Sequence, residues 1–139
     1  MADRRPDFLV DPSALHRLVH PAVEERLRPL MQQGLVATCA IIDLEMLYSS
    51  RSKADYEANL LERRSFYDDP ITPAVTTHAI EVQRALAQTG HHRVAVGDLI
   101  IAAAAESAAL TVLHYDADYE TIARVTEQPH EWVVERGSI

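Results

Sequence analysis

The sequence contains one cysteine, Cys39, and one lysine, Lys53, among its 139 residues. A lone cysteine cannot form a disulfide within the chain, and the Cys/His spacing of a zinc finger is missing. We therefore expect a reducing, cytoplasmic setting. The first ten residues, MADRRPDFLV, have no long apolar segment behind their arginines and do not resemble a signal peptide. No run reaches the roughly 20 apolar residues that a membrane span needs, so we expect no membrane association.

Positive charge is also scarce. Thirteen lysines and arginines stand against 21 aspartates and glutamates, which gives a formal net charge of −8. Proteins that bind duplexes tightly and nonspecifically normally use clustered Lys and Arg. Composition alone therefore favours a small-molecule enzyme or a protein-binding module, and a nucleic-acid role would need help, for example from bound cations. With 47% apolar and 24% charged residues and no linker or repeat, we expect residues 1–139 to form one globular domain.

Short apolar runs alternate with helical patterns along the chain, which predicts an α/β fold with a mainly parallel central sheet covered on both faces. The helix predicted over residues 52–69 is charged and amphipathic, and Arg63 and Arg64 are assigned to its charged face. The helix from Val96 to Leu110 is apolar nearly all round, so we expect it to be buried. The strands are predicted at residues 8–10, 35–39, 111–115 and 131–134.

Several carboxylates stand where strands end or helices begin. Asp11 directly follows the first strand, and Asp116 holds the same position after the strand near residue 112. Ligands of open α/β sheets bind outside the carboxyl ends of the strands, so the two acids can face each other if their strands are neighbours. Each is also a candidate helix cap, as is Asp98 at the head of the apolar helix. Glu120 is assigned as an ordinary acid of a first helical turn.

Glu45 is the most informative acid. At about 100° per residue, it falls on the apolar side of its helix, near Ile41, whereas Asp43 points to nearly the opposite side. Glutamate is seldom buried without a partner, and no Lys or Arg stands three or four residues away to provide one. A partly buried position at the end of the helix is the alternative explanation.

Taken together, these acids suggest a metal site. Carboxylates that converge within about 6 Å repel one another by a few kcal/mol at an effective dielectric near 20. Either some of them remain protonated or a cation fills the pocket between them. A set of carboxylate oxygens suits Mg²⁺ or Mn²⁺. Two such ions would give access to in-line attack of water on a phosphodiester.

Four segments, in this order and at these intervals, resemble the PIN-domain ribonucleases and specifically the VapC toxins: FLVDPSALHRL, LEMLYSSR, VGDLIIAAAAE and TVLHYDADYETIA. The likeness spans nearly the whole chain. It implies a three-layer α/β/α sandwich of the PIN type formed by residues 1–139. It also implies a Mg²⁺- or Mn²⁺-dependent endoribonuclease of a type II toxin–antitoxin system. Such an enzyme cleaves an RNA substrate, is neutralised by a cognate VapB antitoxin and usually forms a homodimer.

The resemblance also assigns roles to individual residues. The family's acidic quartet, with its catalytic role, matches Asp11, Glu45, Asp98 and Asp116. Metal binding is assigned to the three aspartates of the quartet and to Asp118, a frequent fifth acid. Glu45 would complete the pocket or orient the attacking water. Ser13 would contact Asp11 without binding the metal itself. One departure is Pro12, where the family commonly has Thr or Ser, which puts the hydrogen bonding beside Asp11 in question.

Two other functions compete with this one. A phosphatase or phosphotransferase of the haloacid-dehalogenase type would want Asp-x-Asp after the first strand and a supporting lysine, but the first strand is followed by DPSA. A binding module that keeps the fold without catalysis has little reason to retain mutually repelling acids. Four histidines are assigned no catalytic role. We expect His91 and His92 to be solvated in a loop and His78 and His114 to pack in the core.

Overall fold

The computed structural model describes residues 5–139, so the first four residues of the MADRRPDFLV segment lie outside the description. Seven helices and five strands alternate over that range. Their bounds are β1 Phe8–Val10, α1 Pro12–Leu15, α2 Pro21–Gln32, β2 Val36–Thr38, α3 Ala40–Tyr48, α4 Lys53–Arg63, β3 Tyr67–Asp68, α5 Pro73–Ala87, α6 Val96–Ser107, β4 Thr111–His114, α7 Asp118–Thr126 and β5 His130–Trp132.

The five strands form one sheet in the order β3-β2-β1-β4-β5, and every pair of neighbours is parallel. The predicted mainly parallel sheet is therefore confirmed. All three residues of β2 are buried, as are Val112, Leu113 and His114 of β4. Because successive side chains of a strand point to opposite faces, runs of this kind show that helices cover both faces of the sheet.

The predicted burial of α6 is also confirmed. Seven of the twelve residues of the helix are buried, and three of them, Ile101, Ala104 and Ala105, are fully inaccessible. It packs against α5 and α7 and against the strands β1 and β4. Small alanine side chains allow this close approach, since interiors pack at nearly crystalline density. The amino-terminal end of α6 is thereby fixed beside the carboxyl ends of the two central strands.

The prediction for residues 52–69 is wrong in its second half. Helix α4 ends at Arg63, and Tyr67 and Asp68 form the edge strand β3 beside β2. Arg63 is buried rather than part of the charged face, with Nε 2.9 Å from Oδ1 of Asp43 and Nη2 2.9 Å from Oγ1 of Thr38. A buried guanidinium needs such partners. Its neighbour Arg64 is exposed, as expected.

Within residues 5–139, no helix combines the length and the apolar character that crossing a bilayer would require.

Candidate metal centre

The two central strands bring Asp11 and Asp116 to one edge of the sheet. Strands β1 and β4 are neighbours, with Val10 opposite Leu113. The ladder continues one step further, because the backbone N–H of Asp11 donates to the carbonyl of Leu113 at 2.9 Å. The adjacency that sequence reasoning had to assume is therefore present, and the two acids leave the sheet side by side.

Three carboxylates form a compact group at this edge. Oxygen atoms of Asp98, Asp116 and Asp118 all lie within 4.8 Å of one another. Oδ1 of Asp116 accepts the backbone N–H of Asp118 at 2.9 Å, and Oδ2 of Asp118 accepts the N–H of Ala95 at 3.2 Å. These two hydrogen bonds fix the carboxylates of Asp116 and Asp118. Asp11 and Glu45 are close to this group but are not members of it.

Asp98 differs from its neighbours in its burial and in its hydrogen bonding. It is the third residue of α6, whose N-cap position is Ala95, so the simple cap reading of Asp98 is wrong. The side chain is buried, and its Oδ2 has no hydrogen-bond partner among residues 5–139. Burial raises the pKa of Asp98 to about 9, and the neighbouring acids Asp118, Asp11 and Asp116 add to the rise. A buried carboxylate oxygen without a donor, placed among other carboxylates, is suited to binding a cation.

Asp11 differs from Asp98 because both of its oxygens have donors. Oδ2 accepts the backbone N–H of Ser13 at 2.9 Å, and Oδ1 accepts the hydroxyl of Tyr119 at 2.5 Å. The Ser13 hydroxyl in turn accepts the N–H of Tyr115 at 2.8 Å, which ties the start of α1 to the end of β4. Pro12 therefore does not leave Asp11 without a local donor. Asp11 is also the N-cap of α1, so a cap and a pocket residue coincide.

Tyr119 is the site residue that sequence reasoning missed. Its ring is 2% exposed, and its hydroxyl lies 3.3 Å from Oδ1 of Asp98 as well as 2.5 Å from Asp11. Burial raises the pKa of Tyr119 well above its usual value, and the charges of Asp11 and Asp98 raise it further. The phenol therefore remains a donor. Its sequence position, directly after Asp118 on an amphipathic helix, is equally typical of a core aromatic residue.

Glu45 approaches the group from α3. The residue is more exposed than the apolar pattern predicts, but its Oε1 contacts the amino-terminal turn of α6 beside Gly97. Partial burial raises the pKa of Glu45, the charge of Asp11 raises it further, and His16 opposes the rise. Asp43, on the other side of α3, pairs with Arg63 instead. The two acids lie on different sides of α3, but the predicted burial is reversed, because Glu45 is exposed and Asp43 is the more buried of the two.

His114 supports the pocket from inside the sheet. Its Nδ1 accepts the backbone N–H of Asp116 at 3.0 Å, and its Nε2 lies 2.9 Å from Nδ1 of His130. Burial lowers the pKa of His114 to about 3, with a further contribution from His130, so the ring is neutral. The predicted core position is confirmed. Glu120 is more than a first-turn acid, because it accepts from Trp132 Nε1 and Arg136 Nη1 and anchors the C-terminal segment.

The donor set fits a hard divalent cation. The grouped ligand atoms are all carboxylate oxygens, and the nearby His114 has both ring nitrogens engaged. Oxygen-only sets suit Mg²⁺ and Mn²⁺, whereas zinc sites usually contain His or Cys. The unpartnered Oδ2 of Asp98 provides a direct place for such an ion. The pocket can therefore hold a metal ion among three carboxylates.

Comparison with known proteins decides the family. The PIN domain family model matches residues 8–125. The chain belongs to the PIN-domain family. Ribonuclease VapC21 of Mycobacterium tuberculosis is 47% identical to this PIN domain over 133 residues, covering 94% of the chain and 96% of the relative. Ribonuclease VapC51 of the same organism is 40% identical over 134 residues, covering 95% and 96%.

Solved structures agree on the PIN fold. VapBC2 from Rickettsia felis, crystallised with a DNA fragment from its promoter, matches with a TM-score of 0.71 at 18% identity, covering 89% of this chain and 96% of that one. VapBC-1 from nontypeable Haemophilus influenzae matches with a TM-score of 0.72 at 14% identity, covering 92% and 98%. Membership of the PIN family removes the haloacid-dehalogenase alternative. The three-layer arrangement expected from the resemblance is confirmed.

Proposed function

We propose that this PIN domain, residues 1–139, is the toxin of a type II toxin–antitoxin system and a Mg²⁺- or Mn²⁺-dependent endoribonuclease acting in the cytoplasm. The observation that carries the proposal is the buried, unpartnered Oδ2 of Asp98 within a group of three carboxylates. The relatives VapC21 and VapC51 are named ribonucleases and match over nearly their whole length. A bound cation would offset the negative charge of this carboxylate pocket and so allow the phosphate backbone of RNA to approach it.

The residues divide the work by position. Asp98, Asp116 and Asp118 would hold the cation, and Asp11 would complete the ligand set through the oxygens that its donors orient. A bound divalent cation activates water and offsets the charge of the phosphodiester. Glu45, with its raised pKa and its place on the rim, orients the attacking water and accepts its proton. Ser13 keeps Asp11 in register with the end of β4.

The RNA chain enters beside Asp118. A cleft of about 280 Å³ adjoins this acid, and its lining includes His91 and Arg93 from the loop between α5 and α6. Nδ1 of His91 lies 2.9 Å from the hydroxyl of Thr89, which holds the ring in place. An arginine next to an acidic pocket is suited to the phosphate that flanks the scissile one.

Two further surfaces suit protein partners. A groove of about 450 Å³ contains the apolar side chains of Leu18, Met31 and Phe66, and we assign it to a segment of a cognate VapB antitoxin. Two of the solved structures with this fold are VapBC complexes. On α5 and α6, Ile80 and Val96 are 67% and 66% exposed beside a second apolar groove. We assign this face to a second copy of the chain in a homodimer.

The decisive experiment compares Asp98→Asn and Asp11→Asn with Asp7→Asn on a panel of structured RNAs, with Mg²⁺, with Mn²⁺ and with EDTA. Asp7 is the matched control, because it is exposed and lies at the amino end of β1, opposite to Asp11. Wild type and Asp7→Asn should cut RNA only with metal, and the two pocket variants should lose cleavage while remaining folded. Absence of cleavage by wild type would favour the non-catalytic module, and full activity of Asp98→Asn would overturn the site.

A further inference from the structure

The hydroxyl of Tyr119 joins two acids that come from different parts of the chain. Asp11 follows β1 and Asp98 lies in α6, so no short segment fixes their separation. The phenol oxygen lies 2.5 Å from Oδ1 of Asp11 and 3.3 Å from Oδ1 of Asp98. A phenol has one hydrogen to donate, and the shorter distance assigns it to Asp11. The 2.5 Å separation is in the range of charge-assisted O–H···O⁻ bonds.

The position of this hydroxyl is itself fixed by packing. The Tyr119 ring is 2% exposed and lies against the His114 ring, with 4.8 Å between the ring centroids. His114 is in turn bonded to the backbone of Asp116. One buried aromatic residue thus contacts Asp11 and Asp98 through its hydroxyl and is connected to Asp116 through a single neighbour. No other hydroxyl among residues 5–139 donates to either Asp11 or Asp98.

We propose that Tyr119 is a positioning residue for the metal centre, whose hydroxyl orients Asp11 and sets its separation from Asp98. The inference rests on the proposed function, because it assumes that the carboxylates bind a divalent cation. With Oδ2 held by Ser13 and Oδ1 by Tyr119, the Asp11 carboxylate cannot rotate. Partners that orient metal-binding side chains in this way typically change metal affinity 10–100-fold when they are removed.

The test compares Tyr119→Phe with Tyr115→Phe and wild type. Tyr115 is the matched control, since its hydroxyl accepts the N–H of Gly137 and donates to Ile139 in the C-terminal segment, away from the carboxylates. Mn²⁺ dissociation constants are measured by calorimetry, and unfolding is measured without metal. Tyr119→Phe should weaken Mn²⁺ binding about tenfold and lower kcat, with KM for RNA unchanged. Tyr115→Phe should bind Mn²⁺ like wild type.

A second measurement does not depend on any variant. In protein labelled at the tyrosine Cζ carbon, saturating Mg²⁺ should shift the Tyr119 resonance and leave that of Tyr115 in place. Wild-type Mn²⁺ affinity in Tyr119→Phe, even with a lower melting temperature, would reduce Tyr119 to a packing residue and overturn the proposal while the ribonuclease function stands. A Tyr119 resonance that does not shift when Mg²⁺ is added would also overturn the proposal. If wild type binds neither ion, the proposed function fails and this inference fails with it.

Discussion

A Cβ atom on Gly97 would lie 2.9 Å from Oε1 of Glu45, inside the distance at which such atoms are found. The contact involves the end of a flexible side chain, so the glutamate would move and α6 would not. Gly97→Ala should therefore leave stability unchanged or raise it by up to about 0.5–1 kcal/mol, since alanine favours helix. The displaced carboxylate should lower RNA cleavage about tenfold or more, as small misplacements do.

The cause can be isolated with a double-mutant cycle. If Gly97→Ala acts by moving Glu45, it should have no further effect on cleavage in a Glu45→Gln background. Chemical denaturation and cleavage rates of the four proteins provide the measurement. Additive losses in the cycle would show that Gly97 acts through something other than Glu45.

The buried pair of Arg63 and Asp43 should contribute more to stability than its surface neighbours do. Removal of Arg63 leaves Asp43 and Thr38 without their donor and removes the guanidinium from the Phe66 ring, 4.7 Å away. Because Asp43 retains some exposure, we expect Arg63→Ala to cost about 2–3 kcal/mol in the free energy of unfolding. Arg64→Ala, one residue further on and exposed, should stay within about 0.5 kcal/mol. Equal urea midpoints for the two variants would contradict this account.

Asp69 should make stability depend on pH. Burial, then the charge of Asp68, raises the pKa of Asp69 to about 6 from its ordinary value of 3.8. The folded state therefore holds this proton more tightly than the unfolded state, and the associated stability is present at pH 4 and lost as pH rises through 6. Asp69→Asn should match wild type near pH 4 and exceed it by about 1–2 kcal/mol at pH 7. A pH-independent difference between their unfolding curves would rule this out.

Metal binding should release a proton from Asp98. In the metal-free protein the pKa of this acid is raised to about 9, so it is protonated at neutral pH and must ionise to become a ligand. Affinity for Mg²⁺ should therefore increase with pH, by up to about tenfold per unit below 9. Calorimetry in buffers of different ionisation enthalpy reports the proton directly. A metal affinity that stays flat from pH 6 to 8 would exclude the coupling.

Arg93 should affect RNA binding without affecting the metal. Arg93→Gln should raise KM for RNA and reduce the slope of log affinity against log salt by about 1, as loss of one phosphate contact does. Its Mn²⁺ dissociation constant should equal that of wild type. Arg84→Gln, an exposed arginine on α5 outside the cleft, is the control and should leave both quantities unchanged. An identical response of the two variants would remove the cleft from the RNA path.

The sequence allowed the parallel sheet and the acids at the strand ends to be predicted. The alternation of apolar runs with helical patterns indicates the sheet, and the position of each acid directly after an apolar run indicates the strand end. It could not report strand order, so the pairing of β1 with β4 that joins Asp11 to Asp116 had to come from the structure. Strand β3 has two residues, too few for any periodic pattern, and the preceding helix was therefore predicted too long.

Two side chains, Arg63 and Tyr119, depend on contacts with residues that are distant in the sequence. Arg63 reaches Thr38, 25 positions away, and Tyr119 reaches Asp11, 108 positions away. Neither contact leaves a local pattern, so a buried arginine was predicted to lie on a charged helix face and Tyr119 was assigned no role. Glu45 shows the opposite case, because helix periodicity separates it from Asp43 but places it on a side of α3 that is exposed, where Leu44 is 62% and Tyr48 is 92% accessible.

The strand order also has a consequence during synthesis. Strand β1 and Asp11 leave the ribosome before the partner strand β4 and the acids Asp116 and Asp118, which follow about a hundred residues later. A nascent chain or an early truncation therefore carries Asp11 without the rest of the pocket. The carboxylate group that we propose as the metal centre can therefore be complete only after Asp118 has been synthesised.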